Sequence, residues 1–478
     1  MLSMSIILIV FFITLVIAIL SGLIFLIPSV PIKYIKIHLY LIVLPIIISV
    51  IGLLNVSDRE QIGPFTMDHL AWLMGSFILI LGFIIQKFSV RYLIGDRNYR
   101  KYFPLFTLIT SFASIAWLSG DLRLMVLFWG ATLLSLTLLI RVNRSWKIPY
   151  EAAKVSGKSF ALGWLSLLVA VILLYVATGN WHINVTLAND DVITSGMRFI
   201  IDMLIVLAVI VPAAQFPFQS WLIESVAAPT PVSAIMHAGI VNAGGIILTR
   251  FSPVFNDPLA ITILLIIASI SVLLGSGISL VHVDYKRQLV GSTMSQMGFM
   301  LVQCALGVYS AAIIHLILHG VFKATLFLQS GSVVKRFNIP IPPSAKRSYS
   351  WVVLGRCLAI IIAILFWLGS DRSAYEILSA LILAWSLMVS WNQMVAFSRG
   401  LIGRVIGIIM IVIVALVYIV THHYFYNTLS HVYMNVAHPP LMSVIIGILI
   451  LVFGSVLSIW VARQRDSKAF AVLYLWLV

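Results

Sequence analysis

Apolar runs of roughly 20 residues recur from one end of the chain to the other, parted by short polar stretches. Each is long enough to cross a hydrocarbon core of ~30 Å as a helix. We read about fifteen, at 6–28, 38–56, 67–88, 102–119, 122–141, 157–178, 197–215, 228–250, 257–281, 290–308, 309–333, 351–369, 374–397, 403–421 and 441–461. The pattern predicts an all-α polytopic membrane protein, a single integral domain over 1–478 with no linker to a soluble part. The first run has no charge before it and no small-residue cleavage site after it, so it reads as a retained span.

Composition agrees, with 62% hydrophobic and 9% charged residues and a mean hydropathy of +1.11. A soluble chain of this length needs far more polar surface. The net charge of +15 invites a nucleic-acid reading, but its placement changes the picture. Alternate connections carry 23 of the 30 basic residues. The other connections hold Arg59, Arg123, Arg198, Arg250 and Arg372, while Lys323 and Arg356 fall within spans. That asymmetry puts the N-terminus outside and the C-terminus in the cytoplasm. The charge is a topology signal, and the partner it implies is the lipid bilayer, not nucleic acid.

Cys304 and Cys357 both fall in spans, and no Cys/His cluster has zinc-site spacing. Phosphate-binding glycine loops and flavin, haem or iron–sulfur patterns are absent too. No cofactor is expected in this chain, and no catalysis.

The most irregular stretch is "IVPAAQFPFQSWLIESVAAPTPVSAIMHAG", 210–239. Pro212 and Pro217 remove backbone donors within or just after a span. Backbone interrupted at membrane depth is tolerated where protein or a water-filled cavity surrounds it, as in the broken helices of transporters. An ordinary proline kink is the alternative. Downstream, His315, His319 and Lys323 are spaced i, i+4, i+8, which makes one polar stripe about 12 Å long on a helix. An amine at such depth is costly without a purpose, and apolar surroundings favour its release of a proton. A row of such groups suits stepwise proton transfer. His237 joins them near mid-membrane, Glu224 beside the broken helix is a candidate gate, and Asp121 and Asp202 near outer helix ends are weaker candidates. Each lone histidine also has a plain reading, as a helix-to-helix hydrogen-bonding group. The outer histidines His422, His423, His431 and His438 are assigned no role.

"PFQSWLIESVAAPTPVSAIMHAG" followed by "LTR", then "DYKRQLVGSTMSQMGFM" and "HLILHGVFKATLFLQSG", resembles the antiporter-like membrane subunits of respiratory complex I. The L subunit (subunit five) is the nearest match, in register from about 60 to 335. The resemblance implies two inverted five-helix repeats with a discontinuous helix, expected at 102–250 and 257–397, and C-terminal helices at 401–478. It also implies a buried proton relay, onto which His237, His315, His319 and Lys323 fall by position.

There are departures. Gly130 stands where the family carries a glutamate, Pro212 where it carries the partner lysine, and Trp164 in place of an acidic residue; Ala374 replaces a lysine of the second repeat. Removing both partners of a buried pair can be nearly neutral, whereas removing one strands a charge. The first half-channel is thus expected to be degenerate. The chain stops at "LYLWLV", so the long lateral helix of that subunit is expected to be missing. In these respects it is similar to the DabB family of bacterial inorganic-carbon transporter subunits. That resemblance implies a large peripheral DabA-like partner on the cytoplasmic side, carrying the zinc, in the bacterial cell membrane. It also implies protons or sodium ions as the energy source for CO2/bicarbonate uptake. The alternatives are a subunit of a multi-component cation/proton antiporter or NADH-quinone oxidoreductase, and a scaffold with no ion path.

Overall fold

The computed structural model describes residues 3–56, 59–143, 147–188, 192–330 and 349–368, with scattered helical positions between 380 and 460. The expected spans 374–397, 403–421 and 441–461, the position Ala374 and the four outer histidines lie outside the continuously described part.

Two peripheral helices come first, α1 (Met4–Leu23) and α2 (Ile35–Asn55). A short hairpin, β1 (Glu60–Ile62) with β2 (Phe65–Met67), leads into α3 (His69–Tyr92), α4 (Tyr99–Leu118), α5 (Leu122–Ile140) and α6 (Lys147–Thr178). After the small α7 (Ile183–Ala188) come α8 (Ser195–Ile210), α9 (Ser220–Glu224), α10 (Thr230–Ile235) and α11 (Ala243–Phe251). The last described helices are α12 (Pro258–Val281), α13 (Tyr285–Ala305), α14 (Tyr309–Leu328) and α15 (Tyr349–Leu368).

Aspartates set several starts by accepting backbone N–H groups left free at a helix N-terminus: Asp68 for α3, Asp121 for α5, Asp257 for α12 and Asp284 for α13. Burial separates centre from edge. In the crossing Thr230–Phe251, 94% of the apolar stretch is buried, against 33% and 28% in the first two spans. The interrupted region is therefore the middle of the bundle, and α1–α2 is its lipid-facing rim.

Two helices differ from the hydropathy reading in instructive ways. α6 begins ten residues before the expected 157, and α13 five before the expected 290. Hydropathy finds only the part of a helix in hydrocarbon, whereas hydrogen bonding carries the backbone onward through "KIPYEAAKVSGK" and "YKRQL". The expected span 197–215 is α8 followed by the start of an unwound stretch, which runs on to α9.

α12 and α13 pack backbone to backbone. A Cβ on Gly291 would lie 2.6 Å from the Ser279 amide N, and one on Gly275 2.5 Å from that of Ser295. The Ser276 and Ser295 hydroxyls bond at 2.9 Å across the same seam. Without a hydrophobic drive between helices in lipid, such small-residue contact is what holds them.

Candidate relay at the broken helix

Pro212 and Pro217 lie in the break between α8 and α9. Its freed backbone groups find partners: the Trp221 indole N–H donates to the Val211 carbonyl at 2.9 Å, and the Phe216 amide donates to the Ser271 hydroxyl at 2.9 Å. Gln215, fully buried, donates to the Ala213 carbonyl at 2.7 Å while its Oε1 has no partner. Past α10 the chain widens into a π-helical turn, Met236–Ile240, that carries His237. Such widened turns are frequent at functional sites.

His237 is fully buried, its ring stacked 4.4 Å from Phe327 of α14, and among the described residues neither ring nitrogen has a hydrogen-bond partner. α14 comes close because residue 320 is glycine. A Cβ there would sit 2.6 Å from the Ala238 carbonyl oxygen and 2.5 Å from the Phe77 ring. On α14 the His315 and His319 rings are 6.0 Å apart. His315 is half-buried; His319 is buried, its Nε2 unpartnered. Lys323 is wholly buried and donates to the Leu289 carbonyl of α13 at 3.0 Å.

The depth of Lys323 differs from the expected one. It lies five residues before the end of α14, and Leu289 four residues after the start of α13. At 1.5 Å per residue the amine sits about 6–8 Å inside that end of the bundle, not at mid-membrane. The expected midpoint assumed a span running to 333. At this same end Tyr92 donates to Thr230 at 3.0 Å, Lys286 donates to the Ala228 carbonyl at 3.2 Å, and the Thr230 and Ser330 hydroxyls are 3.5 Å apart. Glu224, at the end of α9, is exposed. Buried imidazole nitrogens without protein partners are sites for ordered water, because leaving them bare costs free energy. His237, His319 and Lys323 thus gather three proton-binding groups on facing helices.

The weaker candidates take structural parts. Asp121 caps α5 and holds Arg123 through two hydrogen bonds, at 2.7 and 3.1 Å. Burial acts to raise the Asp121 carboxyl, but hydrogen bonds from Arg123 hold it below the usual carboxylate range. Asp202 accepts the amides of Asn256 and Asp257 at 3.1 and 2.9 Å, tying α8 to the turn before α12.

Positions 130, 164 and 212, where departures from the family are expected, lie in one packed knot. The Trp164 indole donates to the Val126 carbonyl at 2.9 Å and lies across residue 130, where a Cβ would be 2.4 Å from its Nε1. Neighbouring Gly163 faces Pro212, where a Cβ would be 2.8 Å from Cγ. Gly130→Ala is expected to destabilise the protein by about 1–3 kcal/mol through overpacking. Adding Trp164→Leu should recover most of that loss, read as the melting temperature in detergent.

Two polar clusters escaped the sequence reading. At one end of the bundle Arg250 of α11 makes a two-point ion pair with Asp68, one contact at 2.9 Å, and donates to the Trp117 carbonyl at 3.2 Å. Towards the other end His38 meets Ser21 at 2.7 Å, Thr107 at 3.1 Å and Gln86 at 3.2 Å, joining four helices. Neither has a local signature, since the partners are far apart in the chain.

Comparison with known proteins accords with this geometry. Residues 119–407 match the family model described as NADH:quinone oxidoreductase/Mrp antiporter, TM, and residues 63–103 the complex I chain 5 N-terminus. A relative from Bacillus subtilis, named probable inorganic carbon transporter subunit DabB, is 57% identical over 100% of this chain and 95% of its own. The Bacillus anthracis protein of the same name is 52% identical over 100% and 94%. Among solved structures, the Mrp complex from a Dietzia species superposes with a TM-score of 0.66 at 21% identity, over 95% of this chain and 56% of that one. This is a likeness of fold. The chain therefore belongs to the antiporter-like membrane subunits of NADH:quinone oxidoreductases and Mrp antiporters and, within them, to the DabB inorganic carbon transporter subunits.

Proposed function

We propose that this multi-pass membrane subunit couples ion flow to inorganic-carbon uptake through Lys323. The observation that carries the reading is a fully buried ammonium held by the Leu289 carbonyl, with His319 and His315 one and two turns back on its own helix. Protons, or sodium ions, enter from outside along His315 and His319, reach Lys323 and leave inward past His237 and Glu224. The change of charge at Lys323 alters its hold on α13, and that shift is passed to a peripheral partner. The end of the bundle that carries Lys286 and Arg91 faces the cytoplasm, in line with the distribution of basic residues.

The partner supplies the zinc and the hydration of CO2; this chain supplies the energy. At a proton-motive force of roughly 150 mV, one charge crossing is worth about 3.5 kcal/mol. That displaces a hydration equilibrium by more than two decades. The knot of Gly130, Trp164 and Pro212 favours this reading over an antiporter or a redox pump using the first repeat.

Purification in mild detergent from the native cells tests it. A large zinc protein is expected to copurify. NADH dehydrogenase modules, or a set of small antiporter subunits, would overturn the assignment.

A further inference from the structure

Beside the ends of α1, α4 and α5 lies a crevice of about 250 Å³. Its lining is ordered along the helices. On α4, Lys101, Leu105 and Leu108 follow at i, i+4 and i+7, so they share one face, with the cation at the helix end and the leucines successively deeper. On α5, Arg141 caps the end and Leu138 lies one turn deeper. Leu26, just beyond α1, closes the third side. Leu26 and Leu138 are 54% and 39% exposed, so the crevice opens sideways onto surface that the bilayer covers.

The cations here are not absorbed by the protein as their neighbour is. Arg100 donates to the carbonyls of Ile27 and Val30, at 3.2 and 2.6 Å. Arg141, by contrast, rests over the Tyr150 ring at 5.2 Å with its Nε buried and without a hydrogen-bond partner. Lys101, exposed, bonds the Asn98 side chain at 3.0 Å. Neither Lys101 nor Arg141 pairs with a carboxylate among the described residues, so both charges are open to an anionic acceptor.

We propose that this crevice seats one anionic phospholipid of the adjoining leaflet. Its phosphate lies between Lys101 and Arg141, at headgroup level, and one acyl chain runs along Leu105, Leu108 and Leu138 towards the membrane centre. Basic pockets between helix ends bind such headgroups through charge, while apolar walls hold the chain. A zwitterionic lipid offers the same chain but brings its own cation against the two side chains. Free phosphate offers the charge without the chain. The site is separate from the relay and does not depend on its function.

Native mass spectrometry of the purified full-length protein tests this, after delipidation and addition of phosphatidylglycerol, phosphatidylcholine or inorganic phosphate. One phosphatidylglycerol is expected to be retained, in clear preference to phosphatidylcholine, with no stable phosphate adduct. Lys101→Gln with Arg141→Gln should weaken retention roughly fivefold for each cation removed. Equal retention of the two lipids, or unchanged retention in the double variant, would overturn the proposal, and an equally strong phosphate adduct would replace it with a soluble-anion site. Should the double variant fail to fold, Leu105→Trp, which fills the crevice and keeps both charges, must displace the lipid. Unchanged retention in that variant overturns the proposal as well.

Discussion

Replacing Lys323 with alanine is expected to abolish growth in air without added bicarbonate, while the protein still inserts and assembles with its partner. The side chain is wholly buried and its ammonium donates to the Leu289 carbonyl. That carbonyl also accepts the Thr293 hydroxyl at 2.9 Å, so it is not stranded when the amine goes. Removing a buried charge also relieves its desolvation cost. The variant should therefore be present at wild-type level in the membrane and recover growth at high CO2. Lys323→Arg sharpens the test, because a guanidinium stays protonated and cannot pass the proton on. It too should fail in air, despite keeping the positive charge. His319→Gln, which keeps a polar group without ready titration, should fall between. Normal growth in air of the alanine variant would remove Lys323 from the mechanism.

How much of this was legible beforehand depends on whether the cause is local. The break between α8 and α9 was visible because proline removes a donor whatever surrounds it. The stripe His315, His319, Lys323 was visible because helical periodicity alone puts the three on one face. Depth was less legible: it needs both ends of α14, and the expected span to 333 overran Leu328, where the described helix ends. The substitutions at 130, 164 and 212 could be read as losses, but not as a fit. Only coordinates bring the Trp164 ring over Gly130, and only then does the glycine become a steric requirement. Gln215 and His38 were passed over because an amide or an imidazole in an apolar run has no sequence partner to announce it. Arg250 was read as one more outer charge. Its counter-ion is 182 positions away, and no periodicity connects them.

That pair carries the second large effect. Arg250→Leu is expected to destabilise the protein by about 3–5 kcal/mol, since it leaves the Asp68 carboxylate buried and deprived of its two-point partner. Arg59 approaches the same carboxylate, Nε to Oδ2 at 3.8 Å, and its remaining attraction should keep the cost near the lower figure. Combining Arg59→Ala with Arg250→Leu should then push it to the upper. Combining Asp68→Asn with Arg250→Leu should instead recover much of the loss, because no bare charge remains and an asparagine oxygen still accepts the Ala71 amide that opens α3. Unfolding of the purified protein, followed by tryptophan fluorescence, measures all three. If the clamp holds the end of α11 against α3 and α4, the Asp68→Asn, Arg250→Leu protein will be clearly more stable than Arg250→Leu alone. If instead the three variants lie within about 1 kcal/mol of wild type, the ion pair is a surface contact of the ordinary weak kind, and the joint between α3 and α11 must rest on apolar packing.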